Sequence, residues 1–339
     1  MRRPASLWVM PTVEPRPTLV HQPAPLPPGP ITAERYVSRE WADLEERRLW
    51  PHAWLFACLE RDVAEAGRFQ VFEIGRESII ISCVEPGELR AMYNVCQHRG
   101  ARVATQPSGC VDKFVCPYHG WSYRTDGRLV VVPEHQRFPG GVDRASCSMP
   151  PVRVDTFAGL VFVCMDDAAP PLPEFLGEVG DRIAPYRIEN MSLVGDQTVR
   201  LDCNWKAVFD NFGELYHVEH IHPQHELMFD CPTAQIELFD QGHTGVLIDG
   251  HTVNTRLPIP DEPTLYLAMS LRKFGADPDA YRGRVLDIRD DMQKLRRDAG
   301  PGLGFDYDAL TDERLSDIEQ YNLFPNTCLL YTSPSPRDA

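Results

Sequence analysis

Residues 94–123 read NVCQHRG, ARVATQPSGCVDKFV and CPYHGWSY in succession. Four residues of metal-ligand type stand out in that stretch. Cys96 and His98 are separated by one residue, Cys116 and His119 by two, and 17 residues lie between the pairs. Gly100 and Gly120 follow closely, so each pair reads as a short hook closed by a turn. Two thiolates and two imidazoles suit a [2Fe–2S] cluster, with the thiolates on one iron and the imidazoles on the other. The same set suits tetrahedral zinc. Zinc fingers usually place a Cys pair before a His pair, whereas each hook here mixes the two, which argues for the cluster.

The pattern C-x-H-x17-C-x-x-H, with Pro117 after Cys116 and the Gly120-Trp121 pair, resembles the Rieske domain of Rieske non-haem iron oxygenases. The resemblance implies that Cys96, His98, Cys116 and His119 hold a [2Fe–2S] cluster. High-potential respiratory Rieske proteins carry an extra Cys in each hook, and those two form a disulfide. The corresponding positions are Ala101 and Tyr118, so the low-potential, oxygenase type is implied.

Composition narrows the class. The 339 residues are enough for two ordinary domains, and 43% hydrophobic content supports real cores. A net charge of −15 argues against nucleic-acid binding, which needs a basic surface. Ten cysteines at irregular spacings do not form a secreted disulfide framework and point to a reducing compartment. The sequence shows neither an apolar run of membrane-spanning length nor a secretory leader, so a cytoplasmic location is expected.

Residues 1–31 are proline-rich and read as an extended lead-in. Residues 33–50 read as a helix with Tyr36, Trp41, Leu44 and Leu49 on a loose face, closed by Pro51. Short β-rich runs then follow at 69–74, 78–83, 89–95, 121–124, 129–132, 152–154 and 160–164, with turn dipeptides such as Gly75-Arg76 and Asp126-Gly127 between some of them. A small antiparallel sandwich carrying the two hooks fits that spacing. The proline-rich seam Ala168–Pro173 marks the domain boundary. Beyond it, a helix near 174–183, strands near 192–202, 245–248 and 264–271, and an amphipathic helix through Tyr281, Val285, Ile288, Met292 and Leu295 are expected. Gly300-Pro301-Gly302 should stop that helix, and Thr311 should cap another.

Residues 204–226, NWKAVFDNFGELYHVEHIHPQHE, hold the second informative stretch. Trp205, Val208, Phe209, Phe212 and Tyr216 recur at helical spacing, and Glu214 and His217 share a face of that helix. His222, five residues after His217, would leave that face, so the helix should end before Pro223. Two His and a carboxylate leave open positions on Fe(II) for O₂. By resemblance, His217 and His222 bind a mononuclear iron, and Glu214 is a hydrogen-bonding bridge to the Rieske His119 of a neighbouring subunit. Many aromatic-ring dioxygenases carry Asp at the bridge; quaternary-ammonium monooxygenases are among the branches with Glu. His220 and His225 read as surface or supporting groups.

The expected fold class is α+β: an all-β Rieske domain with its leading helix (32–168), then a helix-on-antiparallel-sheet, helix-grip-like catalytic domain (169–327), incomplete at its C-terminus. Family members place a third iron ligand, an Asp, some tens of residues after Leu323-Phe324-Pro325-Asn326. Here residues 328–339 resemble translated sequencing-adapter sequence and are expected to be a non-native tail, so Asp338 is not taken as that ligand and this chain is expected to be impaired. The resemblance implies a terminal oxygenase component fed from NAD(P)H by a flavin-containing reductase, with or without a ferredoxin. It would act on an organic, aromatic substrate with O₂, as a homotrimer or α3β3 assembly. The alternatives are a quaternary-ammonium monooxygenase and a pure electron carrier.

Overall fold

A computed structural model describes residues 29–222, 225, 230–303, 307–308 and 310–332. The chain opens on two short helices, α1 (Glu34–Val37) and α2 (Arg39–Arg48). Ser38 separates them, and its hydroxyl accepts the Trp41 N–H to cap α2. Ten strands follow: β1 (Leu55–Leu59), β2 (Arg68–Ile74), β3 (Glu77–Glu85), β4 (Glu88–Tyr93), β5 (Ser108–Cys110), β6 (Lys113–Val115), β7 (Ser122–Arg124), β8 (Leu129–Val131), β9 (Pro151–Phe157) and β10 (Leu160–Cys164). Seven of them form one sheet in the order β1-β10-β9-β4-β3-β2-β5, and β6-β7-β8 form a small second sheet. The pairs in both sheets are antiparallel.

Phe69, Ile80, Met92, Phe114, Tyr123 and Leu129 fill the space between the large and the small sheet, and Cys96 and Cys116 belong to the same core. The hooks therefore rise from the interior of a sandwich. On the other face of the large sheet, Ile79, Ile81, Val161 and Val163 pack with Leu55 and Val63. The alternation of Ile79, Ile80 and Ile81 between these two cores is the period-2 pattern of a strand buried on both faces. The seam after β10 is pinned rather than loose. Trp54 Nε1 donates to Pro170 O at 2.9 Å, and Arg153 Nη1 donates to Ala169 O at 2.6 Å.

The second half begins with α3 (Leu172–Ile183), whose Leu172, Phe175, Leu176, Val179 and Ile183 are buried. Then come α4 (Trp205–Asn211), α5 (Val218–Ile221), β11 (Gln235–Leu238), β12 (Thr244–Ile248), α6 (Leu265–Lys273), α7 (Ile288–Leu303), α8 (Asp312–Ser316), β13 (Ile318–Leu323) and β14 (Thr327–Thr332). Strands β11-β12-β13-β14 make a four-stranded antiparallel sheet. One face packs on α3 through Tyr321 and Leu323, and the other meets the α4–α5 region through Val218 against Val246, Ile248 and Ile318.

Several expectations are corrected. Residues 264–271 are helical: Thr264 Oγ1 accepts the Leu267 N–H, and Leu267 and Leu271 pack with Ile288 and Met292 of α7. Residues 192–202 carry no strand pairing. The helix through Tyr281 begins only at Ile288, after two 3₁₀ turns, and runs through Pro301 to Leu303. The segment from Cys328 to Thr332, set aside as tail, is built into the sheet in register with β13; residues 333–339 and the stop assigned to Pro223 lie outside the described residues. Phe324-Pro325 lies in the turn between β13 and β14. The cap at Thr311 is present.

Candidate functional site

The two hooks have different spacing but the same backbone bonding. Cys96 N–H donates to Ala101 O at 2.8 Å, and Cys116 N–H donates to Trp121 O at 2.8 Å. Gly100 N–H returns to Cys96 O at 2.8 Å, and Gly120 N–H returns to Cys116 O at 3.0 Å. Gly100 and Gly120 sit at φ of 74° and 75°, the left-handed region that closes each turn without a Cβ penalty. Each hook thus buries its cysteine at one end and offers its histidine at the other. Asn94 locks the first hook from below: its Oδ1 accepts the N–H groups of Val103 and Ala104, and its Nδ2 donates to Ala104 O.

The side chains pair by type, Cys96 beside Cys116 and His98 beside His119. Cys96 and Cys116 are buried, and the His98 and His119 rings stand 4.7 Å apart, edge to face. The two imidazoles differ in surroundings. His98 stacks on Trp121 at 4.9 Å with 9° between planes, whereas His119 is exposed beside Tyr118. Burial raises the Cys96 thiol pKa, opposed by the Tyr123 hydroxyl 3.2 Å away. Burial, then His119 and Arg99, lowers the His98 pKa. Nδ1 of His98 is buried without a hydrogen-bond partner. An orphaned buried imidazole nitrogen fits a metal-ligand role, because an unpaired buried nitrogen is otherwise costly. Tyr123, which spacing alone does not single out, also accepts the Gln97 N–H at 3.1 Å, so its proton is directed at sulfur.

The second site is built differently from its sequence expectation. α4 ends at Asn211, and Glu214 and His217 stand on the turn before α5, not on a continuous helix. Asn322 Nδ2 and Gln320 Nε2 on β13 both donate to Phe212 O, and Gly213 follows. A carbonyl held by the sheet no longer continues the helix. The contact survives the break: His217 Nδ1 and Glu214 Oε1 are 2.5 Å apart, and Glu214 Oε2 accepts the Tyr216 and His217 N–H groups. The His217 and His222 rings are 5.6 Å apart, and His225 stacks on His222 at 5.4 Å with 24° between planes. His220 is exposed. Among the described residues, no three His, Cys, Asp or Glu side chains are grouped to hold one metal ion.

An ionised Glu214 can only accept at Oε1, which favours the Nδ1–H tautomer of His217 and leaves its Nε2 unprotonated. Among the described residues the cysteines form no disulfide. Among the described residues no helix is long and apolar enough to cross a membrane.

Residues 53–157 match the Rieske [2Fe-2S] domain family, and residues 188–334 match the catalytic domain of the ring hydroxylating alpha subunit. The glycine betaine monooxygenase oxygenase subunit of Chromohalobacter salexigens is 35% identical over 181 residues, 53% of this chain and 40% of that protein. The terminal oxygenase component subunit alpha 2 of terephthalate 1,2-dioxygenase from Comamonas sp. is 30% identical over 272 residues, 77% of this chain and 60% of that protein. The chain therefore spans roughly half the length of these relatives. Naphthalene 1,2-dioxygenase from Rhodococcus sp. superposes with a TM-score of 0.65 at 24% identity, covering 88% of this chain and 64% of that one, a likeness of fold. A quaternary ammonium Rieske monooxygenase superposes at 0.59 with 25% identity, covering 65% and 60% of the two chains.

Proposed function

We propose, from the premise that the chain belongs to the α subunits of Rieske ring-hydroxylating oxygenases, that it is the terminal oxygenase component of such a system. The observation that carries this reading is the convergence of two equivalent hooks on one pair of buried thiols and one pair of imidazoles, with His98 Nδ1 left for a metal. Cys96, His98, Cys116 and His119 would hold the [2Fe–2S] cluster, and His217 and His222 the mononuclear iron. When bound, the cluster supplies single electrons and the iron supplies an O₂-binding centre. The chain's own residues supply the rest. The hooks keep the thiolates dry and one imidazole at the surface. Glu214 holds His217 in one tautomer while remaining 38% exposed, so its carboxylate has lone pairs left for a second partner.

His119 and Glu214 are both solvent-accessible, which supports a bridge from His119 of one subunit to Glu214 of the next. A head-to-tail contact of that kind closes into a ring, here a trimer. Electrons would come from NAD(P)H through a flavin-containing reductase, with or without a ferredoxin, in a cytoplasmic setting. The substrate class we favour is aromatic, in line with the dioxygenases among the relatives. A quaternary-ammonium substrate is the second reading. It is supported by Glu214 at the bridge and by the glycine betaine monooxygenase subunits among the relatives.

Iron, zinc and acid-labile sulfide per purified chain test the reading. Two irons and two sulfides support the cluster, and a third iron supports an occupied His217–His222 site. Zinc without sulfide overturns the reading.

A further inference from the structure

Helix α4 begins the run that leads to Glu214, His217 and His222, yet none of its seven residues is buried. Trp205 and Phe209 reach Phe324 of the β13–β14 turn at 6.0 and 5.7 Å, and the remaining contacts that hold the helix come from the first domain. Glu45 on α2, a carboxylate only 13% exposed, accepts the Trp205 indole N–H at 2.9 Å on one oxygen and pairs with the Lys206 ammonium on the other. Trp50 packs edge-on against Trp205 at 5.1 Å. Asn204, which caps α4 through the Lys206 N–H, also donates to Tyr36 O at 3.2 Å. The Tyr36 hydroxyl donates to Asp210 at the far end of the same helix.

The next residue of α2 reaches the other way. Glu46 pairs with Arg76 in the β2–β3 turn at 3.1 Å. β2 in turn carries Glu73, which takes a two-pronged bond from Arg102, immediately after the first hook, at 2.7 and 3.0 Å. Consecutive side chains of one short helix thus grip the cluster-bearing domain and the start of the iron-bearing segment.

We propose that α2 is a strut that sets the position of α4 relative to the cluster-bearing domain, with Glu45 as the positioning residue. The functional sense of this rests on the oxygenase reading above. A path that leaves one subunit at His119 and enters the next at Glu214 works only if both groups are held at fixed places in every copy. A rigid α4 meets that need, and a helix free to swing does not. Glu45 suits the role because one partly desolvated carboxylate satisfies an indole and an ammonium at once. Removing it strands both donors.

Distance measurement by pulsed electron spin resonance tests this on the full chain. One nitroxide goes on the exposed native Cys110 of β5, the other on Val208→Cys of α4, in a Cys203→Ser, Cys328→Ser background. The parent is expected to give one narrow distance peak. Glu45→Ala is expected to lose that peak to a broad distribution, while Glu45→Gln, whose single amide oxygen can serve only one of the two donors, is expected to broaden it less. A peak as narrow in Glu45→Ala as in the parent overturns the proposal, even if the melting temperature falls. Should Glu45→Ala not fold, Lys206→Met keeps the aliphatic stem and removes the ammonium. A broadened peak there supports the strut and an unchanged one overturns it. Cluster absorbance recorded alongside is expected to be equal in all variants. Its absence from the parent would count against the oxygenase reading and leave the distance result standing.

Discussion

Tyr123→Phe is the sharpest perturbation of the cluster site. Tyr123 is fully buried and its ring packs in the core between the two sheets, so Phe keeps the shape and removes one oxygen. That oxygen stands 3.2 Å from Cys96 Sγ and accepts the Gln97 N–H at 3.1 Å. A cluster-bound thiolate has no proton to give, so the hydroxyl must be the donor. A donor aimed at sulfur stabilises the reduced form, which carries one more negative charge, and so raises the reduction potential. A net hydrogen bond is worth about 0.5–1.5 kcal/mol, and the potential feels only the part gained on reduction. For a one-electron couple, about 1.4 kcal/mol corresponds to about 59 mV, so the variant should fall by tens of millivolts, up to about 65 mV. Voltammetry of the cluster-loaded protein reads this directly. An unchanged or raised potential would refute the direction assigned to the bond.

Three further outcomes are expected. Glu214→Gln, in a chain extended to the length of its relatives, should leave both metal sites filled yet suppress turnover; normal turnover would refute the bridge. Asn94→Ala strands two N–H groups and one carbonyl beneath the first hook, and should lower stability by about 2–4 kcal/mol in urea unfolding. His251 is held neutral between Ser316 O and Arg296, and burial, then Arg296, depresses its pKa to about 3. The unfolded chain takes up that proton near the ordinary value and the folded chain does not. Stability is therefore intact above about pH 6.5 and is lost as pH falls from there towards 3. His251→Gln should flatten that limb of a stability-against-pH curve, and an equally steep limb would show that other groups carry it.

The hooks were legible because everything they need is local: four ligand-type side chains and two glycines that close turns. The first-domain strands were legible for a related reason, since turn dipeptides bracket several of them. What escaped was set from a distance. The break after Asn211 follows from Asn322 and Gln320 claiming the Phe212 carbonyl across more than a hundred residues. Leu265, Leu267, Met269 and Leu271 alternate like a strand, yet Leu267 and Leu271 are also four apart, and α7 supplies the surface that selects the helix. Residues 192–202 carry no strand, because a strand also needs a partner, which local sequence does not specify. Glu45 looked like one charge among many on an exposed helix, until Trp205 and Lys206 were folded onto it.

The turn between β13 and β14 has its own reach. The Asn326 side-chain amide accepts the Phe56 N–H at 3.0 Å and donates to the Phe56 carbonyl at 2.9 Å, imitating one rung of a sheet at the edge of β1. That grip reads backbone alone, so any residue but proline at position 56 can satisfy it. Glu45 is the opposite kind of connection, because its partners are particular side chains. Exchange of modules between related chains should therefore tolerate a graft that replaces β1 to β10 and keeps α2 with the iron-bearing half. A graft cut at the proline seam would carry α2 away with the first domain and separate Glu45 from Trp205 and Lys206. For recombination, the workable joint lies just after Trp50, well before the compositional boundary.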